Sequence, residues 1–583
     1  FTVRDDTKVL RVSARDNEEV DDGWLCDKGR FGYQIVNAPE RITQPLVRDG
    51  GELRPVSWAR AIDEARKGLD KAAETTAALV GGEATNEEGY LVQFLMREVL
   101  GSAHVDSRLG GRLDPEQARA LARPDLSARV SDIDFASTVL VVDTELVDEA
   151  PILDLRVRKG SRRTGLKVVV ATSRPSALDP NAAATLRFAP GAAEAALGAL
   201  AAAISGQGDL DDLSRRAGSD AGTVRAAAQA LGGGGPSVVL WGERLSHGAR
   251  GPQAVAALLS TARALGIDGD DGSGMIEVPS GTNGRGLREV GCLPNLKPGL
   301  ADSDAVGLAT SEVPAALSNG DLSALVLFQA DPLRTHPNRA AWESALDDAN
   351  FVVGFSDFVT ESLLDHANVV FPAESYAEKD GTVTHPDGRL QRVRQAIARP
   401  GEVRPQTEVL LELISGLLGS PINLSGPAVF RQIAGAVPFY AGLTYEEIGG
   451  RGIRWQDREQ AAKLQATPLP PTDLEPAPDL ESEGLRLGTA PSLWAGRETD
   501  HAPVLRFLAP AQRAELSAAD ARSLGIGPGD EVEVAVNGTS VRAVAALREA
   551  MAPGSVFLIE GTSRDNANAL TNGSPRIVEV RKP

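Results

Sequence analysis

Apolar residues recur along this chain in two rhythms. From Trp58 onward Ala59, Ile62, Ala65, Leu69 and Ala72 fall at helical spacing and predict an amphipathic helix. Short unbroken apolar runs follow, each closed by turn or polar residues. They are Ala77–Val80 before Gly81-Gly82, Thr138–Val142 before Asp143-Thr144, Leu166–Ala171 before Thr172-Ser173-Arg174-Pro175, and Ser237–Leu240 before Trp241-Gly242. Further on come Leu325–Phe328 before Gln329-Ala330-Asp331, Phe351–Phe355 before Ser356-Asp357, and Asn368–Phe371 before Pro372-Ala373. Such runs predict buried strands, and their alternation with helical stretches predicts βαβ units in mostly parallel sheets. Thr85-Asn86-Glu87-Glu88 reads as a helix start, an N-cap followed by an acidic first turn. In sheets of this kind ligands sit outside the carboxyl ends of the strands. None of these ends carries G-x-G-x-x-G, so the general dinucleotide fingerprint is absent. Gly232-Gly233-Gly234-Gly235-Pro236 precedes a strand and reads as a flexible entry loop. A phosphate cradle would need backbone N–H groups at a helix start.

The pattern divides the chain into four parts. Residues 1–50 read as a small β-rich module and 51–455 as the α/β section. Residues 456–500 carry Pro468, Pro470, Pro471, Pro476 and Pro478 among acidic residues and read as a linker or surface-wrapping segment. Residues 501–583 read as a compact β domain. Its expected strands are Glu531–Val536, Ser540–Ala546 and Ser555–Ile559, with Asn537-Gly538 as a two-residue hairpin turn.

With 583 residues there is ample core for several domains. The hydrophobic share of 42% and charged share of 24% are those of an ordinary globular protein. A net charge of −20 argues against a nucleic-acid partner, because phosphate-backbone binding needs basic patches. No apolar run approaches the ~20 residues of a membrane-spanning helix. Two cysteines make no disulfide framework, as expected in a reducing cytoplasm.

Candidate chemistry is sparse. Cys26 stands in Asp21-Asp22-Gly23-Trp24-Leu25-Cys26-Asp27-Lys28-Gly29-Arg30-Phe31-Gly32-Tyr33, between an acidic turn and a Lys-Gly-Arg segment. Its thiol is either a small packed hydrophobe or a metal or iron–sulfur ligand, with Lys28 tuning the charge of such a centre. Cys292 has apolar neighbours and reads as a packed thiol. The six histidines are scattered, so no zinc site is assigned. Glu378, Lys379 and Asp380 could form an acid/base set or a salt-bridged turn. Arg389, Arg392 and Arg394 could grip a phosphate or pair with carboxylates.

Several of these segments together carry a resemblance. The Val20–Tyr33 stretch resembles a segment of the G subunit of bacterial NADH-quinone oxidoreductase (respiratory complex I), within the molybdopterin oxidoreductase superfamily. So do Arg41-Ile42-Thr43-Gln44-Pro45-Leu46-Val47-Arg48, Asn283-Gly284-Arg285-Gly286 through Leu293-Pro294-Asn295, Ala373-Glu374-Ser375-Tyr376-Ala377-Glu378-Lys379-Asp380-Gly381-Thr382, and Gly388-Arg389-Leu390-Gln391-Arg392-Val393-Arg394. Trp494-Ala495-Gly496-Arg497-Glu498 and Asp565-Asn566-Ala567-Asn568-Ala569-Leu570 resemble actinobacterial members. The resemblance implies a remnant of an iron–sulfur module over 1–50, Rossmann-like α/β domains with mostly parallel sheets over 51–455, and a C-terminal double-psi β-barrel resembling a molybdopterin-dinucleotide-binding domain over 501–583.

It also implies roles. Cys26 would be the last of four ligands to a 4Fe-4S cluster, and Lys28 would lie near it. The other three ligands are expected upstream, so the chain reads as a C-terminal fragment cut just after them. Active members hold molybdenum or tungsten through a Cys, selenocysteine, Ser or Asp in a loop after the first α/β unit. Here Arg112 stands at that position, with Ser107 and Asp114 nearby but out of register. Arginine has no acceptor to offer a metal, so the molybdopterin is expected to be absent and the region to be mainly structural. The implied function is part of the peripheral arm of a proton-pumping NADH:quinone oxidoreductase. Its partners would be other hydrophilic-arm subunits, and its location cytoplasmic, on the inner face of the cell membrane, without membrane insertion. The alternative is a catalytic molybdenum or tungsten subunit of the formate dehydrogenase type. A free-standing interaction module without a redox centre is a third possibility.

Overall fold

A computed structural model describes residues 1–465, 467–471, 474–480 and 483–583. Its contacts divide the chain into two units. One comprises Phe1–Ser13, Arg30–Pro115 and Pro279–Gln465; the other comprises Ala14–Gly29, Glu116–Val278 and Ala466–Pro583. Each unit is built from segments distant in sequence.

The first unit is organised on a seven-stranded sheet. In spatial order its strands are Glu52–Pro55, Leu46–Asp49, Val369–Pro372, Phe351–Ser356, Ala324–Phe328, Thr76–Val80 and Val105–Asp106. The last five run parallel, and the Leu46–Asp49 hairpin strand joins them antiparallel. Thr76–Val80, Ala324–Phe328 and Val369–Pro372 are buried at every position, which is why they read as unbroken apolar runs. The helix Trp58–Ala72 buries Ala61, Ile62, Ala65 and Leu69, and Ser57 caps it by accepting the Arg60 N–H. Phe355 packs against both Phe328 and Phe371, with ring centroids 4.9 and 5.0 Å away. A three-stranded antiparallel sheet, Gly381–Thr384, Arg389–Val393 and Ile453–Arg454, carries two of the motif segments.

The second unit holds a five-stranded parallel sheet and a closed barrel. The sheet order is Gly274–Val278, Ser237–Gly242, Thr138–Val142, Lys167–Thr172 and Ala184–Arg187. The barrel runs Leu485–Ala490, Ser555–Ile559, Arg513–Ser517, Thr539–Arg548, Glu531–Val536 and Ile577–Arg581. Two of its strand pairs are parallel, Leu485–Ala490 with Ser555–Ile559 and Arg513–Ser517 with Thr539–Arg548. Asn537 and Gly538 turn the hairpin with φ of 51° and 82°, the left-handed values a two-residue turn of this kind needs. The first barrel strand, Leu485–Ala490, lies inside the 456–500 stretch read as a linker. Residues 466, 472, 473, 481 and 482 of that stretch lie outside the described residues.

Candidate functional site

Cys26 immediately precedes the short helix Asp27–Phe31. Its half-buried sulfur accepts the Gly29 N–H at 3.4 Å. A β-carbon on Gly29 would lie 2.8 Å from a Leu25 methyl, so the turn around the thiol is compact. Lys28 is not directed at a free site. Its Nζ lies 3.2 Å from the Glu498 carboxylate. Among the described residues no group of three or more His, Cys, Asp or Glu is arranged to hold a metal ion. A 4Fe-4S cluster needs about four ligands, and Cys26 offers one sulfur.

The loop expected to hold a metal in active relatives is closed on itself. Asp106 accepts the Arg108 and Thr310 N–H groups at 3.1 and 3.0 Å, and burial pushes its carboxyl up to about 6. Ser107 donates its hydroxyl to the Cys292 carbonyl at 3.0 Å. Arg112 donates to the Gly307 carbonyl at 3.0 Å and to Glu312 at 2.8 Å. Asp114 is also engaged. A guanidinium paired with a carboxylate, beside a hydroxyl spent on a carbonyl, is a donor set that does not fit a molybdenum or tungsten ion. Cys292 is fully buried and donates to the Gly89 carbonyl at 3.2 Å, and burial pushes its thiol well up. It is a packed thiol.

Four motif segments of the first unit, those holding Arg41, Asn283, Glu378 and Arg392, meet the Thr85–Glu88 helix start in a polar knot. Thr85 and Glu88 form a reciprocal capping box, at 3.2 and 2.7 Å. Lys379 pairs with Glu88 at 2.9 Å, and Glu378 chelates Arg41, with one of the two bonds at 2.8 Å. The charged turn is therefore salt-bridged, but Glu378 and Lys379 are interior rather than solvated. Glu87 accepts the Thr382 N–H at 2.8 Å and the Tyr445 hydroxyl at 2.7 Å. Burial pushes Glu87 up to about 7 against those bonds. Arg392 lies 3.5 Å over the Tyr445 ring and pairs with Asp380 at 2.6 Å. Asn283 donates to Asn86 at 3.0 Å and accepts from the Thr384 N–H at 2.7 Å. A β-carbon on Gly286 would stand 2.2 Å from the Asn86 side-chain oxygen. Arg285 and Trp455 both donate to Glu289, at 2.9 and 3.2 Å. Sequence reasoning found these segments but not their convergence, since the Arg41 and Glu378 partners stand 337 positions apart.

In the second unit the chain reverses its order of strand addition between Thr138–Val142 and Ser237–Gly242. This is the switch point where ligands of such sheets bind. The strand ends there hold charge of both signs. Asp143 adopts φ of 47° and burial pushes it up to about 7, opposed by Arg244. Arg244 donates to Glu149 at 2.7 Å. Glu145, also pushed by burial to about 7, accepts from Ser176 and the Ala177 N–H. Arg174 donates to Glu515 at 2.7 Å. A phosphate-bearing ligand would meet arginines already neutralised by carboxylates.

Residues 41–415 match the family model described as "Molybdopterin oxidoreductase", and residues 488–580 match "Molydopterin dinucleotide binding domain". These matches point to a molybdopterin cofactor, and the expected absence of the pterin does not fit them. The misfit found above concerns the metal donor set. The NADPH-Fe(3+) oxidoreductase subunit alpha of Geobacter sulfurreducens is 28% identical over 98% of this chain and 71% of its own length. The G subunit of the NADH-quinone oxidoreductase of Mycobacterium tuberculosis is 29% identical over 92% of this chain and 63% of its own length. Acetylene hydratase from Pelobacter acetylenicus shares the fold, with a TM-score of 0.72 at 15% identity over 96% of this chain and 94% of that chain. Among the described residues no helix is long and apolar enough to cross a membrane.

Proposed function

Since this chain belongs to the molybdopterin oxidoreductase family, we propose that it serves as a redox-assembly subunit of the NADH:quinone oxidoreductase G type. In this role it is mainly a structural body of the peripheral arm, held at the inner face of the cell membrane by neighbouring subunits. It contributes Cys26 as one ligand of an extra 4Fe-4S cluster, within an assembly that passes electrons from NADH through iron–sulfur clusters to a quinone. The observation that carries the reading is Arg112. A permanent cation bonded to Glu312 stands at the position where the resemblance to catalytic members expects a metal ligand. The compact turn at Cys26 supports the ligand role, because an N–H bonded to sulfur is one way a protein tunes a cluster thiolate. When bound, the cluster supplies one-electron transfer. The chain's share is to hold the Cys26 sulfur in place.

Low-temperature EPR with iron and acid-labile sulfide analysis on the whole natural protein tests this. Changing Cys26 to Ala should remove one cluster signal and about four irons. Full retention of both would sink the ligand role. A second reading, a catalytic molybdenum or tungsten subunit of the formate dehydrogenase type, is favoured by the match of 488–580 to a dinucleotide-binding domain. That reading requires a metal ligand other than Arg112.

A further inference from the structure

The turn leading to Trp24 is held rigid from beneath. Arg156, itself buried, donates from Nε to the Val20 carbonyl at 2.9 Å and from Nη2 to the Glu18 carbonyl at 2.6 Å. The same guanidinium pairs with Asp134 at 2.5 Å. Within the turn, the Asn17 carbonyl accepts the N–H groups of Val20, Asp21 and Asp22. Asp22 and Gly23 close it in the left-handed region, with φ of 52° and 76°. Lys159 reaches Asp22 at 3.5 Å.

What this platform presents is unusual for a free surface. Trp24 is 62% exposed, and Phe135, which follows the Asp134 partner of Arg156, is 81% exposed. Asp16, Glu18, Glu19, Asp22 and Asp27 are exposed in the same segment, where Arg15 is the one basic residue between Ala14 and Asp27. Tryptophan is enriched among the few residues that carry most of the binding energy of an interface. An anchor on a pre-ordered turn loses little freedom on docking. Acidic side chains around it select a partner of opposite charge and reject one of like charge.

We propose that the Asp16–Asp27 segment is a docking surface for another polypeptide, one whose apolar pocket receives Trp24 and whose rim carries lysine and arginine. The assignment stands on the exposure of Trp24, two residues from Cys26, and is tested by variants that leave Cys26 in place.

The test uses the whole protein in the cells that make it. A photo-reactive benzoylphenylalanine is placed at position 24, and the cross-linked peptides are identified by mass spectrometry. The expected product joins position 24 to one other polypeptide within a lysine- and arginine-rich stretch. With that polypeptide purified, Trp24→Ala should raise Kd by roughly tenfold or more. Glu18→Gln together with Glu19→Gln should flatten the salt dependence of binding. Both variants should unfold at the wild-type temperature, because the altered side chains are exposed. A cross-link to an acidic or neutral surface, or to a second copy of this chain, would overturn the proposal. So would the absence of any specific cross-link, or an unchanged Kd for Trp24→Ala.

Discussion

Arg112 donates to the Glu312 carboxylate at 2.8 Å and, from the same nitrogen, to the Gly307 carbonyl at 3.0 Å. The pair closes the loop after Val105–Asp106 and sets a guanidinium, which has no acceptor, at the position where the resemblance expects a metal ligand. It is also a partly exposed pair, with 38% and 46% of the two side chains accessible. Its contribution to stability is therefore small, since solvent screens such pairs. Arg112→Ala should lower unfolding stability by less than about 1 kcal/mol, measured by urea titration. A several-fold larger loss would mean that Arg112 is a structural keystone, not a substituted ligand position.

Gly286 meets the opposite situation. A β-carbon there would stand 2.2 Å from the Asn86 oxygen, 2.3 Å from the Asn283 oxygen and 2.9 Å from the Thr384 hydroxyl. All three belong to the buried knot and cannot swing into solvent. Gly286→Ala should cost about 1–3 kcal/mol through overpacking, read from the same denaturant curves. Wild-type stability would show that the knot is loose.

The fully buried Glu87 makes stability depend on pH. Its folded-state value of about 7 lies above the ordinary 4.5, so the folded protein holds a proton that the unfolded chain has released between those values. This contribution is fully present below about pH 4.5, falls as pH rises toward 7, and is lost above it. Glu87→Gln keeps a neutral side chain at all pH. The variant's melting temperature should therefore rise relative to wild type as pH goes from 5 to 8. A difference that stays constant across that range would remove Glu87 from the pH response.

Much of the architecture was legible because burial is written as composition. Thr138–Val142 and Ala77–Val80 lie between helices with both faces covered, so their apolar runs are continuous and the strands were located almost to the residue. The Thr85 cap was legible because its reciprocal partner, Glu88, is three residues away. Leu485–Ala490, Arg513–Ser517 and Ile577–Arg581 were not read as strands. Leu485–Ala490 and Arg513–Ser517 are buried at successive positions but carry Arg486, Gly488, Glu515 and Ser517, so they do not read as apolar runs, and Ile577–Arg581 alternates over only five residues. The ion pairs were invisible for a different reason. Arg41 meets Glu378, and Lys28 meets Glu498, only after distant segments fold together. The resemblance implies Cys26 as a ligand and Lys28 as its neighbour, and gives no sign of the carboxylate that engages Lys28.

Arg156 links the turn before Trp24 to the segment carrying Asp134. Arg156→Ala would leave the Asp134 carboxylate and two backbone carbonyls without their common donor. The expected cost is about 3 kcal/mol, with faster amide hydrogen exchange confined to residues 17–24 and 130–136. Unchanged exchange in 17–24 would show that the turn is ordered without the arginine.

We propose that this chain keeps the family fold without the family's metal chemistry, because Arg112, paired with Glu312, has no acceptor to offer a metal. Elemental analysis of molybdenum and tungsten per chain, on protein purified from cells supplied with both metals, tests it most directly. Neither metal is expected above trace level. Either metal at one per chain would contradict it and would place a ligand near Arg112 that the loop as folded does not offer.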